Sequence, residues 1–375
     1  MHIQPFAVEQ WMNAYETRCR YNLAETCVES LTLDQLLGLA GKRDTILDEL
    51  RPLKLTYGAI EGSDRLRDAI AALYAGATRH DIMIAHGAIG ANALVYQALV
   101  EPGDRIVAIV PNYQQNYAIP ASLGAEVHRL RLREEHGFLP DLDDLRRLAV
   151  PGTKLISLSN PNNPTGALLE RERLAEIARI ADAVGAYVVC DEVYRGTTQV
   201  SDELTASIVD LYPRGISTGS MSKAFSLAGL RLGWIVAPAE VIGAAAVHRD
   251  YSTISVGMLD DHLAAIALEH HAQILARSRG IVRTNLAALD RWVASESRVS
   301  YVKPNAGTTA LLRYTADLPS RELCVQLLES EGVLYTPGSA LEMEGYLRIG
   351  YANNLAAIEA GLALTSGLLR TLDDR

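Results

Sequence analysis

The sequence predicts an α/β fold: a large domain with a mostly parallel sheet flanked by helices, plus a smaller α+β domain. Between about residues 63 and 219, continuous apolar runs of strand length alternate with longer segments whose apolar residues have helical spacing. Strands that are apolar along their whole length are typical of a parallel sheet covered on both faces. After about residue 272 the pattern changes to a long helix and then to strands around another helix, which is typical of an α+β unit.

The predicted strands of the large domain are short apolar runs, namely residues 82–85, 105–110, 154–158, 187–190 and 215–217. The helices predicted between them are residues 63–74, 91–100, 141–148 and 170–184. Pro140 precedes the third of these helices, a position where proline favours a helix start.

The small domain is predicted from a helix at 275–292 and strands at 299–302, 310–314 and 346–351. No internal repeat or low-complexity linker divides the chain, so we expect two closely joined domains. The predicted division is 1–45 for an amino-terminal arm with part of the small domain, 46–272 for the large domain and 273–375 for the small domain.

Composition excludes several classes of protein. With 375 residues, 49% of them hydrophobic, the chain can bury an enzyme-sized core. A formal net charge of -10 disfavours nucleic acid as a partner. The four cysteines are too sparse for a disulfide framework and lack metal-ligand spacing, which predicts no metal site and a reducing cytoplasm. No leader-like start or long apolar run is present, so we expect a soluble protein without a membrane partner.

The most specific pattern is residues 217–234, STGSMSKAFSLAGLRLGW, in which Lys223 follows Ser220 and precedes Arg231. Taken alone, such a lysine is also typical of a solvated turn. The segment is similar to that of fold-type I aminotransferases of the aspartate aminotransferase superfamily, class I/II. The resemblance implies that Lys223 binds pyridoxal 5'-phosphate (PLP) as a Schiff base and that Ser220 and Arg231 bind its phosphate. Imine formation needs a neutral amine, which burial and a nearby cation such as Arg231 favour.

Two further motifs follow predicted strands in the family's order. Asp191 comes directly after the run 187–190, at a strand's carboxyl end, where open α/β sheets bind ligands. The resemblance implies that Asp191 pairs with the pyridine nitrogen, which keeps the ring an electron sink, and that Tyr194 and Asn163 contact its phenolic oxygen. Each residue alone also fits a turn. Asn163 precedes Asp191 by 28 residues and Asp191 precedes Lys223 by 32, and this order favours a common site.

Three more contacts are implied by the resemblance. Gly87, Ala88 and Ile89 lie between a strand and a helix, where backbone N–H groups and the helix dipole bind phosphate. Tyr113 matches the aromatic residue that stacks on the pyridine ring. Tyr57 matches a residue that reaches the partner subunit's phosphate, which predicts a homodimer with shared active sites. For either tyrosine ordinary packing is the alternative.

The substrate site is predicted from both ends of the chain. Arg348, in YLRIGY, matches the family's binder of the substrate α-carboxylate and offers a bidentate fork. Residues 21–30, YNLAETCVES, replace a Gly/Pro-rich segment and resemble a subgroup that includes capreomycidine synthase and arginine-processing PLP enzymes. This resemblance implies that Glu25 or Glu29 pairs with a cationic amino acid such as arginine; a solvated acid at a helix start is the alternative.

The resemblance therefore implies a PLP-dependent aminotransferase that acts on an amino acid together with a 2-keto acid, and the composition predicts a cytoplasmic location. The motifs specify bond breaking at Cα but not the fate of the carbanion, so a PLP-dependent lyase, cyclase or oxidase is the alternative. A third alternative is a non-enzymatic effector-binding module of a transcription regulator. The acidic charge and the lack of a DNA-binding pattern before Tyr57 disfavour this last alternative.

Overall fold

A computed structural model describes residues 2–372. A seven-stranded sheet in the order β2-β8-β7-β6-β5-β3-β4 forms its larger part. The strands are β2 Ile82–Ala85, β3 Arg105–Val110, β4 Glu126–Arg131, β5 Thr153–Ser159, β6 Tyr187–Asp191, β7 Gly215–Ser220 and β8 Gly233–Val236. Strand β8 is antiparallel to both of its neighbours, and the other pairs are parallel. The predicted mostly parallel sheet is confirmed.

Helices cover both faces of this sheet. Those of the first 270 residues are α1 Ala7–Tyr15, α2 Leu33–Leu39, α3 Ile46–Leu50, α4 Asp64–Ala71, α5 Gly87–Leu99, α6 Gln115–Ser122, α7 Leu142–Leu148, α8 Arg171–Val184, α9 Ala239–Asp250 and α10 Met258–Glu269. The central strands β3, β5, β6 and β7 are buried almost throughout, as their continuous apolar runs predict.

A second, smaller part contains an antiparallel sheet in the order β12-β13-β10-β9 and a parallel pair β1-β11. Its strands are β1 Tyr21–Asn22, β9 Val299–Tyr301, β10 Thr309–Tyr314, β11 Val333–Leu334, β12 Thr336–Pro337 and β13 Tyr346–Gly350. Helices α11 His271–Ser295, α12 Ser320–Glu331 and α13 Leu355–Leu369 pack against these strands. This is the predicted α+β unit.

The amino-terminal segment connects the two parts. Trp11 is 1% exposed, and its Nε1 donates to the Tyr335 carbonyl at 2.8 Å, within the core of the smaller part. The Phe6 ring lies 4.7 Å from the Tyr113 ring, which follows β3 of the large sheet. The segment consequently lies beside the carboxyl ends of the large sheet's strands.

Five strands were missed by the sequence prediction: the short strands β1, β11 and β12 of the smaller part, and β4 and β8 of the large sheet. Strand β4, EVHRLR, is an edge strand whose alternating exposed residues are charged, so it lacks a continuous apolar run. Strand β8 has only four residues and runs against its neighbours, so no helical crossover precedes it.

Candidate active site

The carboxyl ends of the parallel strands open into a cavity of about 300 Å³. Register brings the strand ends together, because Asp191 of β6 pairs with Ser159 of β5 and with Thr218 of β7. Most residues that the sequence predicted for the site line this cavity: Glu25, Ala88, Ile89, Tyr113, Asn163, Asp191, Tyr194, Ser220, Lys223, Arg231 and Arg348.

Three predicted site residues are not part of the lining. Gly87 lies directly behind it, since a Cβ added there would be 3.0 Å from Nη2 of Arg231. Tyr57 is 69% exposed and lies in a surface depression beside Met258. Glu29 is exposed; its backbone carbonyl accepts from Arg277 Nη1 at 2.8 Å and its backbone N–H donates to the Ala352 carbonyl at 2.8 Å.

Lys223 lies just beyond β7 with its amine held by the amino-terminal segment. Its Nζ donates to Thr26 Oγ1 at 2.7 Å and to Cys27 Sγ at 3.4 Å. Burial favours the neutral amine, but the acidic groups Cys27, Tyr194 and Glu25 outweigh it and raise the pKa of Lys223 above its usual value. In the cofactor-free protein the lysine is therefore an ammonium.

This environment differs from the sequence-based expectation of a cationic neighbour. Arg231 Nη1 donates instead to the Ala228 carbonyl at 3.0 Å. Burial raises the pKa of the Cys27 thiol to about 11, so at neutral pH the negative charge that this loop brings to the amine is that of Glu25. Burial also acts against the Glu25 carboxylate, but the Lys223 charge and N–H donors from Cys27 and Thr26 outweigh it and lower the pKa of Glu25.

Asp191 is a buried acid, 5% exposed, with polar support from helix α5. Its Oδ2 accepts from Asn92 Nδ2 at 2.9 Å, while Asn92 Oδ1 accepts from Thr218 Oγ1 at 2.7 Å. Burial raises the pKa of Asp191 against the opposing effects of the Asn92 and Val193 hydrogen bonds. Asn92 was missed by the sequence analysis; the signal was an amide within the run 88–95, whose other residues are apolar or glycine.

The amino terminus of α5 forms a cradle at one corner of the cavity. Gly87 has φ +67°, and a Cβ on Gly233 of β8 would lie 2.3 Å from the Gly87 carbonyl carbon. Glycine at 233 thus lets the helix start pack directly on β8. The α5 N–H groups, the exposed Arg231 and Ser220 at the end of β7 surround the same corner of the cavity. Ile89 offers only its backbone there.

Arg348 lies on β13 and faces the cavity from the smaller part of the molecule. It is 3% exposed, and its Nη2 donates to the Ala24 carbonyl at 3.1 Å and to Thr336 Oγ1 at 3.0 Å. Its Nη1 makes one long contact, 3.4 Å to Asn163 Oδ1, and its Nε has no partner among residues 2–372. The guanidinium therefore retains donor capacity for a ligand.

Helix α1 and the turn that follows it add two acids that the sequence analysis missed. Glu9 and Glu16 line the cavity, and Glu9 Oε1 accepts from the Tyr113 hydroxyl at 2.9 Å. Burial, together with the charges of Glu25 and Glu9, raises the pKa of Glu16. Their spacing of seven residues puts both on one face of a helix, but the sequence did not indicate what that face meets.

The donor set fits PLP. Within the described chain the Tyr194 hydroxyl is buried without a hydrogen-bond partner, as expected of a donor awaiting an oxygen acceptor. The α5 amino terminus suits a phosphate, the buried Asp191 suits a protonated ring nitrogen, and Lys223 provides the amine. Fold and site together define a fold-type I PLP enzyme.

The family model described as aminotransferase class I and II matches residues 43–360, and the chain belongs to this family. Capreomycidine synthase of Streptomyces vinaceus is 32% identical over 369 residues, covering 97% of this chain and 93% of that protein. A PLP-dependent aminotransferase structure from Streptococcus suis 89-1591 is 42% identical, covers 100% of both chains and has a TM-score of 0.96. The structure of the PLP-dependent cyclase OrfR is 27% identical, covers 99% of this chain and 98% of that chain, and has a TM-score of 0.91.

These comparisons confirm the predicted fold type, the PLP cofactor, the aminotransferase class and the likeness to capreomycidine synthase. They do not support a non-enzymatic effector-binding module. No helix among the described residues is both long enough and apolar enough to span a membrane. Residues 2–372 also contain no group of three or more His, Cys, Asp and Glu side chains placed to bind a metal ion.

Proposed function

We propose that the protein transfers the amino group of an amino acid to a 2-keto acid, with Lys223 moving the proton at the substrate's Cα. The observation that carries this proposal is that one cavity joins the Lys223 amine, the buried Asp191 carboxylate and the buried Arg348 guanidinium. When bound, PLP accepts the electron pair of the bond broken at Cα. The side chains bind, orient and exchange protons around it.

Each residue's role in the proposal follows from its surroundings. Arg348 binds the α-carboxylate and orients the substrate, because its Nη1 has donor capacity left. Asp191 pairs with the ring nitrogen. The Tyr194 hydroxyl and the Asn163 amide contact the phenolic oxygen, and Tyr113 packs on the ring.

The phosphate is proposed to bind at the α5 amino terminus. Gly87, Ala88 and Ile89 contribute backbone N–H groups, and Ser220 and Arg231 contribute side-chain donors.

The reaction is tested with purified protein, PLP and a panel of amino acids, with and without 2-oxoglutarate or pyruvate. Product that forms only with a keto acid supports transamination. The Lys223→Ala variant should lose both the reaction and the visible absorbance of the lysine-bound cofactor. An unchanged absorbance in this variant would remove Lys223 from its proposed role.

We further propose a substrate with a cationic side chain. Glu9, Glu16 and Glu25 all line the cavity, and such a cluster of carboxylates favours a cation. Glu29, the other acid considered from the sequence, is exposed and outside the lining. Glu25 already accepts from two backbone N–H groups at 2.7 Å, so Glu9 and Glu16 are the freer carboxylates.

Single Glu→Gln variants at 9, 16 and 25 test this substrate proposal, and Glu29→Gln is the matched control. We expect the preference for cationic over neutral amino acids to fall about 2- to 5-fold for each cavity variant, as for one partly exposed ion pair, and to stay unchanged for Glu29→Gln. If the preference for cationic amino acids stayed unchanged in all three cavity variants, the proposal of a cationic substrate would be contradicted.

A PLP-dependent cyclase, lyase or oxidase is the second candidate function. It is favoured by the likeness to capreomycidine synthase over 97% of this chain, and by the TM-score of 0.91 with the cyclase OrfR. The same residues could break the Cα bond in either reaction. Product formed in the absence of any keto acid would move the assignment to this candidate.

A homodimer with shared active sites is part of the proposal, as is a cytoplasmic location. Large apolar side chains are exposed around residues 55–57 and 251–259, among them Leu55, Tyr57 and Tyr251 at 76%, 69% and 93% exposure. Such side chains favour association with a second copy, in which Tyr57 would reach the partner's phosphate site. Sedimentation of the wild type and of a Tyr251→Glu variant tests the proposed homodimer. A wild type that sediments as a monomer would contradict the proposed homodimer.

A further inference from the structure

Residues 24–27 contact both Arg348 and Lys223. The Ala24 carbonyl accepts from Arg348 Nη2 at 3.1 Å. Two residues later, Thr26 Oγ1 accepts from Lys223 Nζ at 2.7 Å, and Cys27 Sγ lies 3.4 Å from the same nitrogen. One short loop thus holds the amine that moves the proton and the guanidinium proposed to bind the substrate carboxylate.

The loop is fixed by buried hydrogen bonds. The Thr26 carbonyl accepts from Thr308 Oγ1 at 2.6 Å, and the Leu23 carbonyl accepts from the Gly350 N–H at 2.7 Å. Thr26 is 8% exposed and Thr308 is fully buried. A side chain attached to such a loop has a defined position, so the Thr26 hydroxyl is a fixed acceptor rather than a mobile one.

We propose that Thr26, assisted by Cys27, is a positioning residue that holds the free amine of Lys223 and directs its lone pair toward the substrate's Cα proton. A neutral amine has two N–H groups and one lone pair. If the two N–H groups are donated to Thr26 and Cys27, the remaining tetrahedral direction is that of the lone pair. This inference rests on the proposed proton-transfer role of Lys223.

The charge around the amine comes from several elements. Glu25 and Cys27 belong to the loop, Glu16 follows α1, and Asp191 and Tyr194 come from the end of β6 and the turn after it. The carboxylates favour the ammonium, whereas the Cys27 thiol is uncharged at neutral pH because burial raises its pKa to about 11. Thr26 adds a neutral acceptor that also favours the protonated form, because a hydrogen bond to a charged donor stabilises it.

Two substitutions separate this role from packing. Thr26→Val keeps the branched shape and removes the hydroxyl, whereas Thr26→Ser keeps the hydroxyl. In the cofactor-free protein, acetic anhydride labelling is followed over pH by mass spectrometry of the Lys223 peptide. The chain has five lysines, so Lys154 and Lys303 serve as internal controls. We expect Thr26→Val to label Lys223 about 10-fold faster at a given pH, and Thr26→Ser to match the wild type.

In the PLP-loaded enzyme, exchange of the substrate's Cα hydrogen in D₂O should slow about 10-fold in Thr26→Val, with KM and bound cofactor unchanged. Cys27→Ala should also speed labelling of Lys223 and slow Cα exchange, each by a smaller factor than Thr26→Val. This second variant tests the proposal if Thr26→Val does not fold. If both Thr26→Val and Cys27→Ala showed the same labelling rate and the same exchange rate as the wild type, the positioning role would be overturned. Absence of exchange in the wild type would instead overturn the proposed function.

Discussion

Replacement of Arg348 by lysine tests how the substrate carboxylate is bound. Lysine keeps the positive charge but loses the planar fork and the bonds from Nη2 to Ala24 and Thr336. Hydrogen bonds to charged groups contribute about 1.5–3 kcal/mol each. Each 1.4 kcal/mol or so of lost transition-state stabilisation lowers kcat/KM about tenfold. Loss of one such bond to the carboxylate therefore reduces kcat/KM by roughly 10- to 150-fold.

The assay compares an amino acid with the corresponding amine that lacks the α-carboxylate, on the wild type and on Arg348→Lys. If the guanidinium acts on the carboxylate, the variant loses activity toward the amino acid and changes little toward the amine. An equal loss with both compounds would refute the assignment and point to a structural role. Thermal unfolding of the variant is the control, because the buried Thr336 hydroxyl loses a donor.

Two other substitutions are directed at the cofactor pocket. In Asp191→Asn, PLP affinity should fall. Burial raises the pKa of Asp191, so ionisation of this carboxyl destabilises the native cofactor-free wild type. The Tm of the cofactor-free wild type, relative to that of cofactor-free Asp191→Asn, should therefore decrease as pH rises from about 4 through the raised pKa, and a Tm difference that does not change with pH would contradict the burial effect. Gly233→Ala puts a Cβ 2.3 Å from the Gly87 carbonyl carbon, so the start of α5 has to shift. We expect PLP binding, measured by fluorescence titration, to weaken at least about 10-fold, and the free energy of unfolding to fall by roughly 1–3 kcal/mol. Gly229→Ala is its control, since no atom lies within 4 Å of that added Cβ, and equal affinity in the two variants would contradict the proposed cradle.

The cofactor half of the site was predictable from the sequence because its residues follow buried strands. Asp191 is the last residue of β6, and Asn163 and Lys223 come shortly after β5 and β7; parallel strands end at one edge of a sheet. Apolar runs therefore located the residues, and the family resemblance gave their expected roles.

The substrate half was less predictable because it depends on contacts between distant parts of the chain. Glu9 and Glu16 reach the cavity because Trp11 is anchored to Tyr335, 324 residues away. No local pattern encodes that pairing. Thr26 was likewise overlooked, since a threonine between two candidate residues has no distinctive spacing, and its importance comes from a contact with Lys223 197 residues away.

Gly350 provides a way to disturb both halves of the site together. A Cβ on Gly350 would lie 1.8 Å from the Glu25 carbonyl oxygen, a backbone atom that cannot yield without moving the loop 24–27. Because this loop contacts Arg348 through Ala24 and Lys223 through Thr26, Gly350→Ala should raise KM and lower kcat, each about 10-fold or more. Thr26→Val should lower kcat alone. If Gly350→Ala retains its fold and changes only one of the two constants, the loop does not couple carboxylate binding to proton transfer.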